Sequence, residues 1–297
     1  MHSLQQVMAF AETARHGSFA AAARETGSAP STLAKAVARL EAALGVKLFH
    51  RTTRQVSLTP DGERLYARCE RLLAEVEELQ ADASGVRAAP SGTLRIDLPL
   101  VLGRRWILPV LAQLARAHPG LALDVRLQDG YADLVKEGID AAVRVGPLKD
   151  STLVARRIGA QGMVLVASPA YLQAHGTPRR LEQLKAHQAV LFRLPTSGRD
   201  RPWQFRQGGR AVEVLPPSRV RVNDGEGLVE AVKLGLGLAQ VPDHFVRDAL
   251  AAGTLVEVLR GLRPPPAPVW VVVPGARLVP QRVRVLLQAL EGVELGG

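Results

Sequence analysis

The chain has 297 residues, 47% of them apolar and 22% charged, a balance that excludes a disordered chain, a collagen and a small disulfide scaffold. No apolar run approaches the ~18 residues of a spanning helix, and the single cysteine, Cys69, allows no internal disulfide and fits a reducing cytoplasm. The net charge of +10 suggests a nucleic-acid partner, yet residues 1–59 carry only +4, residues 60–90 carry −3 and residues 91–297 carry +9.

The first 19 residues lack a basic leader region and carry Glu12, so they do not read as a signal peptide. Residues 1–59 read as a small helical unit ending in a hairpin. Ser3 caps a first helix with Gln6 as its capping-box partner, and Leu4, Val7, Met8, Ala11 and Ala14 form its apolar stripe. Gly17 stops that helix. A short helix capped by Ser18 runs from Phe19 to Glu25, and Gly27 makes a tight turn. Pro30 suits the first turn of a third helix, whose stripe is Leu33, Val37, Leu40 and Leu44. Two short strands, Leu48–Arg51 and Gln55–Leu58, complete a winged helix-turn-helix.

Residues 60–88 read as one long helix, capped by Thr59 with Pro60 at its first position. Leu65, Cys69, Leu72, Val76, Leu79 and Ala83 are spaced as a heptad seam. The same helix of a second chain is the expected partner, which predicts a homodimer; packing on its own domain is the alternative. Cys69 reads as a seam residue, with a symmetric intermolecular disulfide as its other reading. Ala88–Gly92 forms a hinge. Beyond it strands and helices alternate: strands Thr93–Leu98, Leu121–Leu127, Ile139–Val145, Met163–Ala167, Val220–Val222, Gly237–Val241 and Val269–Val273; helices Arg104–His118, Tyr131–Glu137, Gly225–Leu234 and Pro280–Glu291. That alternation predicts α/β layers in two lobes.

In a helix-turn-helix the second helix enters the major groove. Here it begins near Ala29. Ser31, Lys35 and Arg39 share its outward face with Thr32 beside them, and Arg51, Thr53 and Arg54 sit at the wing. Lys35 and Arg39 suit phosphates or guanine edges.

Residues 18–54 resemble the N-terminal domain of LysR-type transcriptional regulators. The resemblance rests on the alanines after Ser18-Phe19, on Pro30-Ser31, Leu40-Glu41, Leu44-Gly45-Val46, Leu48-Phe49 and Arg51, and on the Leu58–Gly62 step into the long helix. Gly92–Ile96, Asp133–Arg157, Val222–Gly225 and Gly235–Gly237 extend it over nearly the whole chain. The family usually has serine where this chain has Ala29 and Ala34; the lost hydroxyls cost ~1 kcal/mol each, with Ser28 offering a cap one residue early. The implied fold is multi-domain α+β: a winged helix-turn-helix over 1–59, a linker and dimerisation helix with hinge over 60–91, and a two-lobed α/β effector domain over 92–297, similar to periplasmic solute-binding proteins. Lobe I takes about 92–160 and 264–297, lobe II about 161–263.

Ligands of open α/β sheets sit at strand carboxyl ends. That places the effector at Pro99, Leu100, Val101, Gln128, Asp129 and Gly146 in the first lobe, and at Phe192, Arg193, Asn223, Asp224 and Pro242 in the second. The first loop has no hydroxyl where many relatives bind a carboxylate, so an apolar or aromatic effector with at most one anionic group, held by Arg193, is expected; Arg144 also opposes the acids. The seven histidines form no HExxH, and neither a GxSxG elbow nor a P-loop is present, so the chain reads as a non-enzyme without cofactor or metal. Its expected partners are double-stranded DNA, copies of itself as dimer and tetramer, a small-molecule effector and RNA polymerase, but no membrane. A solute-binding transport component, an architectural DNA protein and an enzyme built on the lobes are the competing readings.

Overall fold

The structure, a computed structural model, describes residues 4–51, 56–83, 89–148, 153–275 and 279–292. The chain forms two compact units, Met1–Gly92 and Thr93–Gly297.

In the first unit, α1 (Leu4–His16), α2 (Phe19–Thr26) and α3 (Pro30–Leu44) precede a hairpin of β1 (Phe49–Arg51) and β2 (Val56–Leu58), then α4 (Pro60–Ala83). The caps are local chemistry. Ser18 accepts the Ala21 N–H at 3.4 Å, and Thr59 accepts the Gly62 N–H at 3.0 Å while donating to the Lys47 carbonyl at 2.6 Å. Gly27 adopts φ 63°, a left-handed turn that other residues reach only with strain. Ala29 starts α3 with no side-chain cap, and the Ser28 hydroxyl leans back on the Thr26 carbonyl, so Ser28 does not replace the missing serine. The expected Ser3 cap lies outside the described residues.

Phe10, Leu40 and Leu48 are among the most deeply buried side chains of this unit, and Phe10 meets Phe49 at 5.3 Å between ring centroids. Two expected stripes need correction. On α1 the inward face is Val7, Phe10, Ala11 and Ala14, with Leu4 and Met8 exposed; on α3, Leu44 is exposed at the helix end.

The second unit holds two sheets. In the first lobe the strand order is β4-β3-β5-β14-β6, built from β3 (Gly92–Leu98), β4 (Leu121–Leu127), β5 (Ala141–Val145), β6 (Leu153–Gln161) and, from the end of the chain, β14 (Ala267–Pro274). β3 and β5 run parallel; β14 runs antiparallel to both β5 and β6. After β3 the chain enters α5 (Leu100–Leu102), which passes through a π-turn at Gly103–Ile107 into α6 (Leu108–Ala117), so this helix starts four residues before the expected Arg104. Helix α7 (Leu134–Glu137) is capped by Asp133 and is shorter than expected. Leu111, Leu114 and the Val283 and Leu286 pair of α11 (Gln281–Ala289) close the core over Ile96, Leu98, Val143 and Val271.

In the second lobe β7 (Met163–Ala167), β8 (Ala189–Phe192), β11 (Ser218–Val222), β12 (Ala239–Pro242) and β13 (Val256–Val258) carry α8 (Pro169–His175), α9 (Gly225–Lys233) and α10 (Asp243–Ala251), with an added hairpin of β9 (Trp203–Gln207) and β10 (Arg210–Val214). β12 and β13 flank β7 antiparallel, β8 pairs with β11 in parallel, and an Ala189–Leu238 bridge joins the two sets. Gly237, at φ 148°, brings the chain so close to Gln188 that an added Cβ would lie 2.4 Å from its carbonyl oxygen. The Gly235–Gly237 stretch therefore serves a helix end and a tight strand entry. No described helix is long and apolar enough to cross a membrane.

Candidate DNA-reading face and interlobe cavity

In the first unit, Leu33, Val37 and Leu40 turn α3 inward, which obliges Pro30, Ser31, Thr32, Lys35 and Arg39 to face solvent, as does Ala29 before them. Among the described residues no carboxylate lies within 4 Å of Lys35 or Arg39. Two cations and two hydroxyls thus sit on one exposed helix face, the cations without a carboxylate partner among the described residues. Ser18 is half-buried and engaged as a cap. Thr53, Arg54 and the side chain of Arg51 lie outside the described residues.

Glu41, on the opposite side of α3, ties the helix to the wing. It is 3% exposed. One carboxylate oxygen accepts the Leu48 N–H at 2.9 Å and the Phe49 N–H at 3.4 Å, and the other meets Lys47 Nζ at 3.3 Å. Burial pushes its pKa up, but the Leu48 N–H, Lys47 and the Phe49 N–H outweigh it and hold the carboxyl below its ordinary value.

The seam on α4 is divided. Cys69 is 4% exposed and packs with the half-buried Leu65 in the head's own core, so Cys69 is not free to meet a second chain. The heptad continues the head's packing there. Burial pushes the Cys69 thiol up to about 11, which favours the protonated, less reactive form at neutral pH. Leu72, by contrast, is 44% exposed, and Val76 is half-buried. The Leu79 side chain lies outside what is described.

Between the lobes of the second unit is a cavity of about 200 Å³. Pro99, Val101, Gln128, Asp129, Phe192 and Pro242 line it as the strand-end argument expects. Leu100, Gly146, Arg193, Asn223 and Asp224 do not. The Leu100 N–H is bound to Asp129 Oδ1 at 3.0 Å, and Asp224 caps α9 through the Gly227 N–H at 2.6 Å. Val145 and Arg144 face the cavity in place of Gly146. Arg193 turns outward, 51% exposed, with Asp200 at 4.0 Å.

The lining cation that the strand-end argument did not reach is Arg201, which is also exposed to solvent. Its backbone N–H donates to the Phe192 carbonyl at 2.8 Å, and its guanidinium lies 5.2 Å from the Phe192 ring centroid. Desolvation by the walls lowers its pKa from the ordinary arginine value, against the pull of Tyr131 and Asp129, and it remains a cation at neutral pH. Among the described residues no carboxylate lies within 4 Å of it.

The cavity floor carries a second arginine, already neutralised. Arg144 Nη1 meets Asp97 Oδ2 at 2.5 Å; Asp97 is fully buried and also accepts from Gln128 Nε2 at 2.8 Å. Gln240 is likewise committed, exchanging hydrogen bonds with the Gln204 backbone at 2.8 and 2.6 Å. Tyr131, Leu194, Leu228 and Phe245 complete the apolar and aromatic walls. Between the two lobes, Arg104 and Arg105 of the first pair with Glu226 of the second, and Trp106 meets His244 edge-on at 4.7 Å.

A winged head with an exposed polar reading helix, and in the same chain a two-lobed domain closing on a small cavity, define a ligand-responsive DNA-binding regulator. Residues 4–63 match the model of the bacterial regulatory helix-turn-helix protein, lysR family, and residues 87–294 match the LysR substrate binding domain. The chain belongs to the LysR family of transcriptional regulators. It is 35% identical over 292 residues to the HTH-type transcriptional regulator DmlR of Escherichia coli K12, covering 97% of this chain and 93% of that one. The HTH-type transcriptional activator AaeR of the same organism is 31% identical over 299 residues, covering 100% and 96%. Among solved structures, full-length AphB of Vibrio cholerae aligns with a TM-score of 0.62 at 29% identity, covering 99% of this chain and all of that one. CrgA of Neisseria meningitidis aligns at 0.61 and 31%, covering 97% of each.

Proposed function

We propose that the chain is a cytoplasmic regulator that reads double-stranded DNA with the Ser31, Thr32, Lys35 and Arg39 face of α3, with Ser18, Ala29 and Pro30 beside it at the DNA surface and the wing residues Arg51, Thr53 and Arg54 assisting. The observation that carries this reading is the pair of cations on that exposed face, neither with a carboxylate within 4 Å among the described residues. Two chains pair through α4 beyond the head, with Leu72 and Val76 at the contact and Leu79 continuing the heptad, and further contacts build a tetramer. The interlobe cavity holds a small-molecule effector. Its differential affinity for two lobe arrangements alters the spacing of the heads on DNA and the contact with RNA polymerase. No catalytic step is assigned to the chain.

Three measurements test this reading. On a fragment from upstream of the chain's own coding region, Arg39→Ala weakens binding roughly 10- to 100-fold, the worth of one good contact to a base edge; unchanged anisotropy titrations would remove α3 as the reading helix. A deproteinised small-molecule extract of the source cells shifts the affinity of the full chain for that fragment. Leu228→Trp, which fills the cavity, abolishes the shift, and a shift that survives this change places the effector elsewhere. For the assembly, Leu72→Glu raises the dimer dissociation constant at least ~10-fold in sedimentation equilibrium. An unchanged constant would remove α4 from the interface.

A further inference from the structure

Taking the cavity as the effector site, we infer that it receives a small apolar or aromatic monoanion whose single acidic group pairs with Arg201. The inference rests on which charges are already spent. Arg144 is neutralised by Asp97, and Arg193 lies outside the cavity beside Asp200. That leaves Arg201 as the one lining cation with no carboxylate within 4 Å among the described residues.

The backbone at the cavity is already partly engaged by acids of the chain itself. Three helices begin at the cavity, and at each one N–H is taken by the chain's own acid: Asp129 on the Leu100 N–H, Asp224 on the Gly227 N–H and Asp243 on the His244 N–H. A ligand carboxylate would have to displace a tethered one from any of these N–H groups. Asp129 itself lines the cavity, so a second acidic group on the ligand meets a like charge there. The space beyond Arg201 is walled largely by Val101, Leu102, Phe192, Leu228 and Phe245, which reward an apolar body, with Gln128, Gln161 and Thr196 among the polar exceptions. One charge-assisted hydrogen-bonded pair and an apolar remainder is the chemistry that this lining matches.

The test is calorimetry on the full chain with three matched probe sets: benzoate and hexanoate, their neutral amides benzamide and hexanamide, and the dianion succinate. Either acid binds roughly 10- to 100-fold more tightly than its amide, as one charged hydrogen-bonded contact allows, and more tightly than succinate. Arg201→Gln removes the preference of acid over amide and leaves amide binding unchanged, whereas Arg193→Gln preserves the preference. Succinate binding tighter than the monoanions, or an acid preference that survives Arg201→Gln, overturns the inference while leaving the cavity an effector site. Absence of binding by every probe also overturns it. The effector-site reading is judged separately, by the extract titration with Leu228→Trp, so the two failures are distinguishable.

Discussion

Arg144→Met lowers the unfolding free energy of the two-lobed domain by about 3–5 kcal/mol. Asp97 is fully buried, and its neighbours Arg144 and Gln128 were chosen for a charged carboxylate. With the guanidinium gone, the acid keeps one amide and no cation in a site that water does not reach, and the Ala132 carbonyl loses a donor as well. The size of the effect reflects an uncompensated buried charge more than the worth of the pair. Accordingly, the double replacement Asp97→Leu/Arg144→Met recovers most of the loss, since matched apolar groups no longer ask for solvation. Urea unfolding followed by tryptophan fluorescence checks both, because Trp106, Trp203 and Trp270 all lie in this domain. A loss below about 1 kcal/mol would mean that water reaches Asp97 in solution.

Glu41→Leu has the second largest expected effect, confined to the head. The substitution leaves the buried Leu48 and Phe49 N–H groups without their acceptor, a loss of roughly 2–4 kcal/mol for the two together. The hinge between α3 and the wing opens, and amide hydrogen exchange in α3 of the full chain accelerates roughly 30- to 1000-fold. The same carboxylate sets an acid limit. Its folded pKa lies below the ordinary value of 4.5, so the stabilisation is complete above that value and is lost as pH falls through the folded pKa. Exchange protection of α3 therefore declines on acidification below 4.5 in the natural chain, and Glu41→Gln, which cannot ionise, removes this part of the decline. Equal pH dependence in the two proteins would refute the role given to Glu41.

The head was legible because its instructions are local. Ser18, Gly27, Pro30 and Thr59 each act within four residues of where they stand, so caps and turns can be read in order. What escaped there was tertiary. The spacing of Leu65 and Cys69 is a heptad, but heptad spacing does not say which surface the helix meets, and α1 of the same chain covers them. The helical period also permits Leu4 and Met8 on α1, while the aromatic bulk of Phe10 decides which face goes inward.

In the second unit, strand-end reasoning found Pro99, Val101, Gln128, Asp129, Phe192 and Pro242 because it follows from sheet geometry alone. It failed at Arg193. The strand ends at Phe192, and the pleat sends the next side chain outward. The chain then loops back through an Arg193–Asp200 bridge and delivers Arg201 to the cavity, a return that no periodicity encodes. Strand β6 escaped the sequence reading because Leu153–Gln161 is an edge strand with no buried residue and no regular alternation of apolar and polar positions. The β9–β10 hairpin, by contrast, carried a signal that could have been used: alternating runs on either side of Gly208-Gly209.

The central claim is that this chain recognises a particular DNA sequence, and equilibrium binding across a salt series tests it most directly. The full chain is titrated onto a fragment from upstream of its own coding region and onto a scrambled fragment of equal length. The account predicts a preference of roughly 10³-fold or more for the natural fragment, with both affinities falling as salt rises. Equal affinities with the same steep salt dependence would mean phosphate contacts alone, and would contradict the assignment of α3 as a sequence reader.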